Sequence, residues 1–253
     1  MKPAQKNITV ADFIIPAIDI IDGKAVRLTQ GDYAQQKVYN TDPVEVAKIF
    51  EAAGLKRLHV VDLDGAKAGK IQHLDLLEKM AGSTNLEIDF GGGVKTLSDL
   101  RAVFNAGATM ATIGSLAVKQ PELLQEWIAH FGTDKFFIGA DVYEENIKIS
   151  GWIEDGGINI FHFLEKMNGI GAKHFFCTDI KMDGALRGTS IDLYKKIMQR
   201  YPATQLTASG GVSGIADILA AKEAGCSGVI IGKAIYEGLI SLQELQQLNT
   251  RLS

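Results

Sequence analysis

Gly54–Asp62 reads GLKRLHVVD, and 117 positions later Gly171–Asp179 reads GAKHFFCTD. Ala106–Ser115, AGATMATIGS, returns 118 positions on as Ala224–Lys233, AGCSGVIIGK. Phe90–Val94, FGGGV, returns at that same offset as Ala208–Val212, ASGGV. Three pairs at nearly one offset define an internal repeat, which sets the number of equivalent sites before any fold is assigned. The repeat doubles a glycine-rich, anion-binding motif and a carboxylate, and so points to a ligand with two similar ends.

Outward from these segments, short β-branched runs alternate with helical patterns. The expected strands are Phe13–Asp19, Arg57–Asp62, Leu86–Phe90, Met110–Gly114, Phe136–Asp141, His174–Asp179, Thr204–Ser209 and Val229–Gly232. Several are almost continuously apolar, as parallel strands covered on both faces must be. Helical spacing follows Pro43 and recurs in Thr96–Gly107, Pro121–Gly132, Ser190–Tyr201 and Ser213–Gly225. Eight strand–helix units in two halves predict an α/β fold, a (β/α)8 TIM barrel built from two duplicated (β/α)4 halves. An open doubly wound sheet would carry GxGxxG after its first strand, where this chain has IIDGKAVRLTQGD. Residues 1–12 are expected to be an N-terminal extension, and residues 13–253 a single barrel domain without a linker at the midpoint.

Composition narrows the function classes. Of 253 residues, 46% are hydrophobic and 22% charged, and 26 basic against 30 acidic residues leave a net charge of −4. No basic run suggests nucleic acid, and no apolar run approaches the roughly 20 residues of a membrane span. The opening MKPAQKNITVAD lacks the apolar stretch of a signal peptide, so the cytoplasm is the expected compartment. Two cysteines, Cys177 and Cys226, sit in apolar surroundings outside any CxxC motif and read as buried thiols.

Barrel chemistry takes place at the C-terminal strand ends. Asp19 ends strand one and Asp141 ends strand five, four places away in a ring of eight, so the two carboxylates are expected to face each other across the mouth. Such a pair can divide into base and acid when its surroundings separate the two pKa values. Gly92 and Gly93 follow strand three, while Gly114 and Ser115 end strand four. Their counterparts are Gly210 and Gly211 after strand seven, and Gly232 and Lys233 after strand eight. Glycine lets backbone N–H groups approach an anion, and a following helix adds its positive end. The predicted ligand is a small molecule carrying two phosphates. Asp62 and Asp64 in VVDLDGA repeat as Asp179 and the neighbouring Asp183 in TDIKMDGA, with Thr178 in the place of Val61. Arg27 and Trp152 lie on loops one and five, where Trp152 is expected to be exposed and to stack on the ligand. The clustered Asp residues come from different strand ends without matching histidines, so no metal is expected.

Ile15–Tyr33 (IPAIDIIDGKAVRLTQGDY), Val38–Gly54, Leu58–Ala66 (LHVVDLDGA), Phe90–Thr96 (FGGGVKT), Gly114–Leu123, Cys177–Ser190 and Ala208–Ile218 resemble the ProFAR isomerases of histidine biosynthesis. ProFAR is phosphoribosylformimino-5-aminoimidazole carboxamide ribotide, and the resemblance covers about residues 13 to 245. It implies an Amadori rearrangement of an aminoaldose to an aminoketose, with acid–base catalysis and no cofactor, in a monomer. By position, Asp19 would be the base at C2 of the ribose, Asp141 the acid at its ring oxygen, and Thr178 a positioning hydroxyl. Gly92, Gly93 and Ser115 would hold one phosphate, and Gly210, Gly211, Gly232 and Lys233 the other. Three alternatives share these features. They are the cyclase subunit of imidazole glycerol phosphate synthase, a dual-substrate isomerase also acting on phosphoribosylanthranilate, and a non-catalytic phosphosugar-binding barrel.

Overall fold

Eight strands form the centre of the computed structural model, which describes residues 10–29 and 31–252. They are β1 (Ile14–Ile21), β2 (Arg57–Asp62), β3 (Glu87–Gly91), β4 (Met110–Ile113), β5 (Phe136–Tyr143), β6 (His174–Asp179), β7 (Gln205–Ser209) and β8 (Gly228–Ile231). Each pairs in parallel with the next, and β8 pairs with β1 through Ile14↔Val229 and Ile15↔Ile230, which closes the ring. The chain is a (β/α)8 barrel. Most of the expected N-terminal extension, residues 1–9, lies outside the described residues, and Val10–Phe13 forms a short helix that leads into β1.

One long helix follows each strand: α1 (Pro43–Ala52), α2 (Leu74–Ser83), α3 (Leu97–Asn105), α4 (Pro121–Phe131), α5 (Ile160–Gly169), α6 (Ile191–Arg200), α7 (Ile215–Glu223) and α8 (Leu242–Leu252). Local chemistry sets several of the helix starts. Asp42 accepts from the N–H groups of Val44 and Glu45 ahead of Pro43 at the first turn, and Thr96 and Asp99 form a reciprocal capping box on α3. The five helices expected from spacing are present; α2, α5 and α8 were not among them. The start of α2 at His73 has no side-chain cap, which removes the usual signal of a helix beginning.

Two layers of packing hold the barrel. Inside the ring, Ile15, Ala17, Phe137, Phe176 and Ile230 form a small apolar cluster. Between ring and helices a larger one includes Phe50, Leu77, Leu100, Leu124, Phe163, Tyr194 and Ile218. Each large apolar side chain buried there contributes about 1.5–3 kcal/mol. Tyr194 on α6 adds direction, because its hydroxyl donates to the Ser209 and Cys177 carbonyls and so pins the helix across β6 and β7.

The loops after β1 and β5 are hairpins, a feature the strand and helix periodicities did not reveal. Lys24–Thr29 and Asp32–Asn40 fold back on β1, while Asn146–Ile149 and Glu154–Asn159 fold back on β5. Each leans on the loop of the strand before it in the ring. Lys37 and the Tyr39 hydroxyl bond Glu237 beyond β8, with Lys37 at 2.8 Å, and Lys119 beyond β4 bonds Glu154 at 2.9 Å.

Candidate active site

Strand register places the carboxylates. Asp19 stands beside Val61 on β2, and Asp141 stands beside Thr178 on β6, both at the C-terminal rim. Because β1 and β5 lie four strands apart around the ring, the two acids occupy opposite walls of the mouth. Their surroundings differ. Asp19 is ion-paired to Arg27, whose Nη1 donates at 2.7 Å. Asp141 accepts from the Trp152 indole N–H and the buried Thr178 hydroxyl. Burial pushes the Asp141 carboxyl above the usual carboxylate range, and these two hydrogen bonds and the charge of His59 only partly offset it.

Arg27 is a residue of the site interior rather than of a mobile surface loop. Its guanidinium donates to the Ala17 carbonyl, lies 5.3 Å from the Tyr236 ring centre, and packs directly over the bare α-carbon of Gly232. Its Nε is the single buried side-chain nitrogen or oxygen without a partner among the described residues. Buried donors are almost always satisfied, so this orphan on the face of a glycine loop is a donor free to meet a ligand oxygen.

Trp152 corrects the expectation of an exposed aromatic. It is half-buried, and its six-membered ring covers Gly31, where an added Cβ would meet Trp152 Cε3 at 2.7 Å. Ser150, Gly151 and Trp152 all have positive φ, at 56°, 69° and 73°. Non-glycine residues hold that conformation only where their surroundings impose it. The hairpin tip therefore turns the indole inward, so that the two hairpins meet above Asp141.

The glycine loops are built alike on both sides. Gly92 and Gly93 have φ of 107° and 83°, and Gly210 and Gly211 have 85° and 80°. Gly114 and Gly232 each precede a short helix, Ser115–Lys119 and Lys233–Tyr236, with nearly the same backbone angles. Gly114 faces open space, while Ser115 Oγ accepts from the Ser150 N–H of the β5 hairpin at 2.8 Å. Lys233 Nζ donates to the Gly184 carbonyl at 2.9 Å and ties loop eight to loop six.

Asp62 and Asp179 turn out to anchor loops. Asp62 accepts from the N–H groups of Gly65, Gln72 and His73, and Asp179 accepts from the Lys181 N–H and the Ser190 hydroxyl. Asp62, Asp64 and His73 are also close enough to hold an ion, with ligand atoms within 4.8 Å of one another. The Asp62 oxygens already serve three backbone donors, and Asp64 accepts from the Asp22 N–H and lies 2.7 Å from His73 Nε2. The trio thus latches loop two to loop one.

The residue passed over in the sequence is Asp183. Its signal, the repeated DGA, paired it with Asp64 but did not place it. In the fold it lies within charge reach of Asp19, Asp141, Arg27 and Lys233. Burial and the two neighbouring carboxylates push it up to about 6, against the pull of Arg27 and Lys233. The folded protein therefore binds this proton more tightly than the unfolded chain. The associated stability is complete below about pH 4 and disappears as pH climbs through about 6. Asp183→Asn should accordingly raise Tm by a few degrees at pH 7–8, with the two melting curves converging near pH 4. Equal Tm differences at both pH values, read by calorimetry, would contradict this.

A closed parallel barrel with acids on opposite walls of its C-terminal mouth, flanked by paired glycine loops, has the make-up of a (β/α)8-barrel enzyme for a phosphorylated ligand. The profile of the family described as histidine biosynthesis protein matches residues 13–241. A protein of Bacteroides thetaiotaomicron named 1-(5-phosphoribosyl)-5-((5-phosphoribosylamino)methylideneamino) imidazole-4-carboxamide isomerase is 54% identical over 233 residues, 92% of this chain and 98% of its own. Proteins of the same name from Parabacteroides distasonis and Flavobacterium johnsoniae are 54% and 48% identical, each over 92% of this chain and 97% of their own. The chain belongs to the histidine biosynthesis protein family. Among the described residues no helix is long and apolar enough to cross a membrane.

Proposed function

We propose that this chain is an aldose–ketose isomerase of histidine biosynthesis acting on ProFAR, the reaction named in its relatives. The observation that carries the reading is the division between the two facing acids: Asp19 is paired with a guanidinium, while Asp141 is buried and raised above the usual carboxylate range. Asp141 gives a proton to the ribose ring oxygen as the C1–O bond breaks, leaving a protonated imine at C1. Asp19 then removes the C2 proton, and the electron pair moves into the C1–C2 bond to form an enolamine. Reprotonation at C1 and loss of the O2 proton deliver the aminoketose. No electrons enter or leave, so the step needs no redox cofactor. Each acid or base contributes typically about 10²–10⁴-fold.

Gly92, Gly93, Gly114 and Ser115 would take one phosphate, and Gly210, Gly211, Gly232 and Lys233 the other, with Arg27 Nε supplying a further donor. Thr178 holds Asp141 in place, and Trp152 closes over the ribose. Residues 13–253 act as one domain, a cytoplasmic monomer with a small-molecule substrate as its partner. The two buried free thiols agree with a reducing compartment.

A second reading concerns the acid alone. Asp183, at about 6, is better matched to proton donation near neutrality than an ordinary carboxyl, and it lies within charge reach of the other two acids. Purified protein should turn over ProFAR without added metal, followed by the absorbance change when excess cyclase partner consumes the product. Ammonia-dependent consumption of the ketose without isomerisation would instead assign the cyclase reaction. Comparing Asp141→Asn with Asp183→Asn identifies the acid as the variant that loses the alkaline limb of kcat/KM.

A further inference from the structure

The barrel interior contains charges that this mechanism does not use. Arg57 and His59, two residues apart on β2, both point inward: the guanidinium carbon lies 5.9 Å from the Phe137 ring centre, and the imidazole packs edge-on against Phe137 and Phe176. On β3, in register with His59, Asp89 lies 2.5 Å from His59 Nδ1 and accepts from Thr112 Oγ1 of β4 at 2.8 Å. His59 and Asp89 are 6% and 3% exposed. His59 is level with Ala17, one inward step beneath Asp19. Charge therefore alternates up the barrel, from Arg57 through Asp89 and His59 to the carboxylates Asp19 and Asp141.

Barrels usually fill these positions with branched apolar side chains. A buried ion pair brings no stability over a hydrophobic replacement, because desolvation consumes its Coulomb energy. Stability alone therefore does not account for the pair. We propose that His59, fixed by Asp89 and Thr112, is a positioning residue of the isomerase site, whose imidazolium stands one inward step beneath Asp19 as the counter-charge of that carboxylate. The inference rests on the reading of Asp19 and Asp141 as the catalytic pair.

The surroundings fit a charged ring. Burial presses His59 toward neutrality, but the charge and hydrogen bond of Asp89, aided by Asp19, outweigh it and the repulsion of Arg27, so its pKa is raised. Asp141 in turn is drawn downward by His59. The charged groups facing the ring are thus Asp19 from β1, Arg27 from its hairpin, Asp89 from β3 and Asp141 from β5. Thr112 and Phe176 bring no charge from β4 and β6, and Arg57 is on the ring's own strand.

The test combines a direct and a kinetic measurement on the full chain. In protein labelled with ¹⁵N-histidine, NMR should show the His59 ring protonated at pH 7, above the free side chain's midpoint of about 6.5. In Asp89→Asn the ring should be neutral at pH 7. The acid limb of kcat/KM should then move up by about one pH unit, because the cation beneath the site is gone. The double variant His59→Gln/Asp89→Asn, which buries no charge, should keep its circular dichroism and show the same displaced limb. A neutral His59 ring at pH 7 in the wild type would overturn the proposal, as would a uniform loss of rate with an unmoved limb in folded variants. Wild-type protein inactive on ProFAR would remove the isomerase reading itself, while the NMR result would still report the ring's charge.

Discussion

Asp19→Asn is expected to lower kcat on ProFAR by about 10³-fold or more, with KM changed only a few-fold. The amide keeps the shape of the carboxylate and can still accept from Arg27, which also retains its bonds to the Ala17 carbonyl and the Tyr236 face. The loop-one hairpin should therefore stay seated, and Tm should fall by no more than a few degrees. An amide has no basicity at neutral pH, so proton removal from C2 is the step that suffers. Steady-state kinetics beside a melting curve separates the two effects. Activity within tenfold of wild type would show that Asp19 is not the base, whereas a large loss of Tm would make the ion pair structural first.

Gly92→Ala should do the opposite and weaken the fold before it touches chemistry. A methyl group there would fall on the Asp62 carbonyl oxygen, and the position has φ of 107°. Backbone cannot swing aside as a side chain can, and an L-residue in that conformation adds about 1–2 kcal/mol of its own. A loss of about 3 kcal/mol or more, or roughly 10 °C in Tm for a chain of this size, is expected. Gly211→Ala should behave alike, because its methyl would strike the Gly188 carbonyl of loop six. Gly114→Ala provides the contrast. Its Cβ meets nothing within 4 Å, so Tm should fall far less than in the other two while phosphate affinity falls. Thermal melts of the three variants check the ordering, and equal Tm values for Gly92→Ala and Gly114→Ala would refute it.

The glycine contrast shows how far sequence could go. GGG after strand three and SGG after strand seven were legible as tight turns because the pattern repeats. Which glycine is fixed by its neighbours and which lies open to a ligand was not, since Asp62 and Gly188 belong to other loops. Trp152 shows the same limit: among the polar residues of SGWIEDGG it looks exposed, yet Gly31, more than a hundred residues earlier, gives it a surface to cover. Asp183 was visible only as half of a repeated DGA. Its proton affinity comes from burial and from Asp19 and Asp141, against the pull of Arg27 and Lys233, and no local window contains these groups together.

By itself the sequence determined the eight-unit order, the strands, the carboxylates at strand ends and the doubled glycine loops. Those features follow from hydrophobic periodicity, turn chemistry and repetition, all of them properties of neighbouring residues. The tertiary structure alone decided which carboxyls burial lifts above the usual range, where Arg27 and Trp152 rest, and that a His59–Asp89 pair lies beneath the mouth. These depend on burial and on charges brought within a few ångströms by ring closure, which joins β8 to β1 across more than two hundred residues.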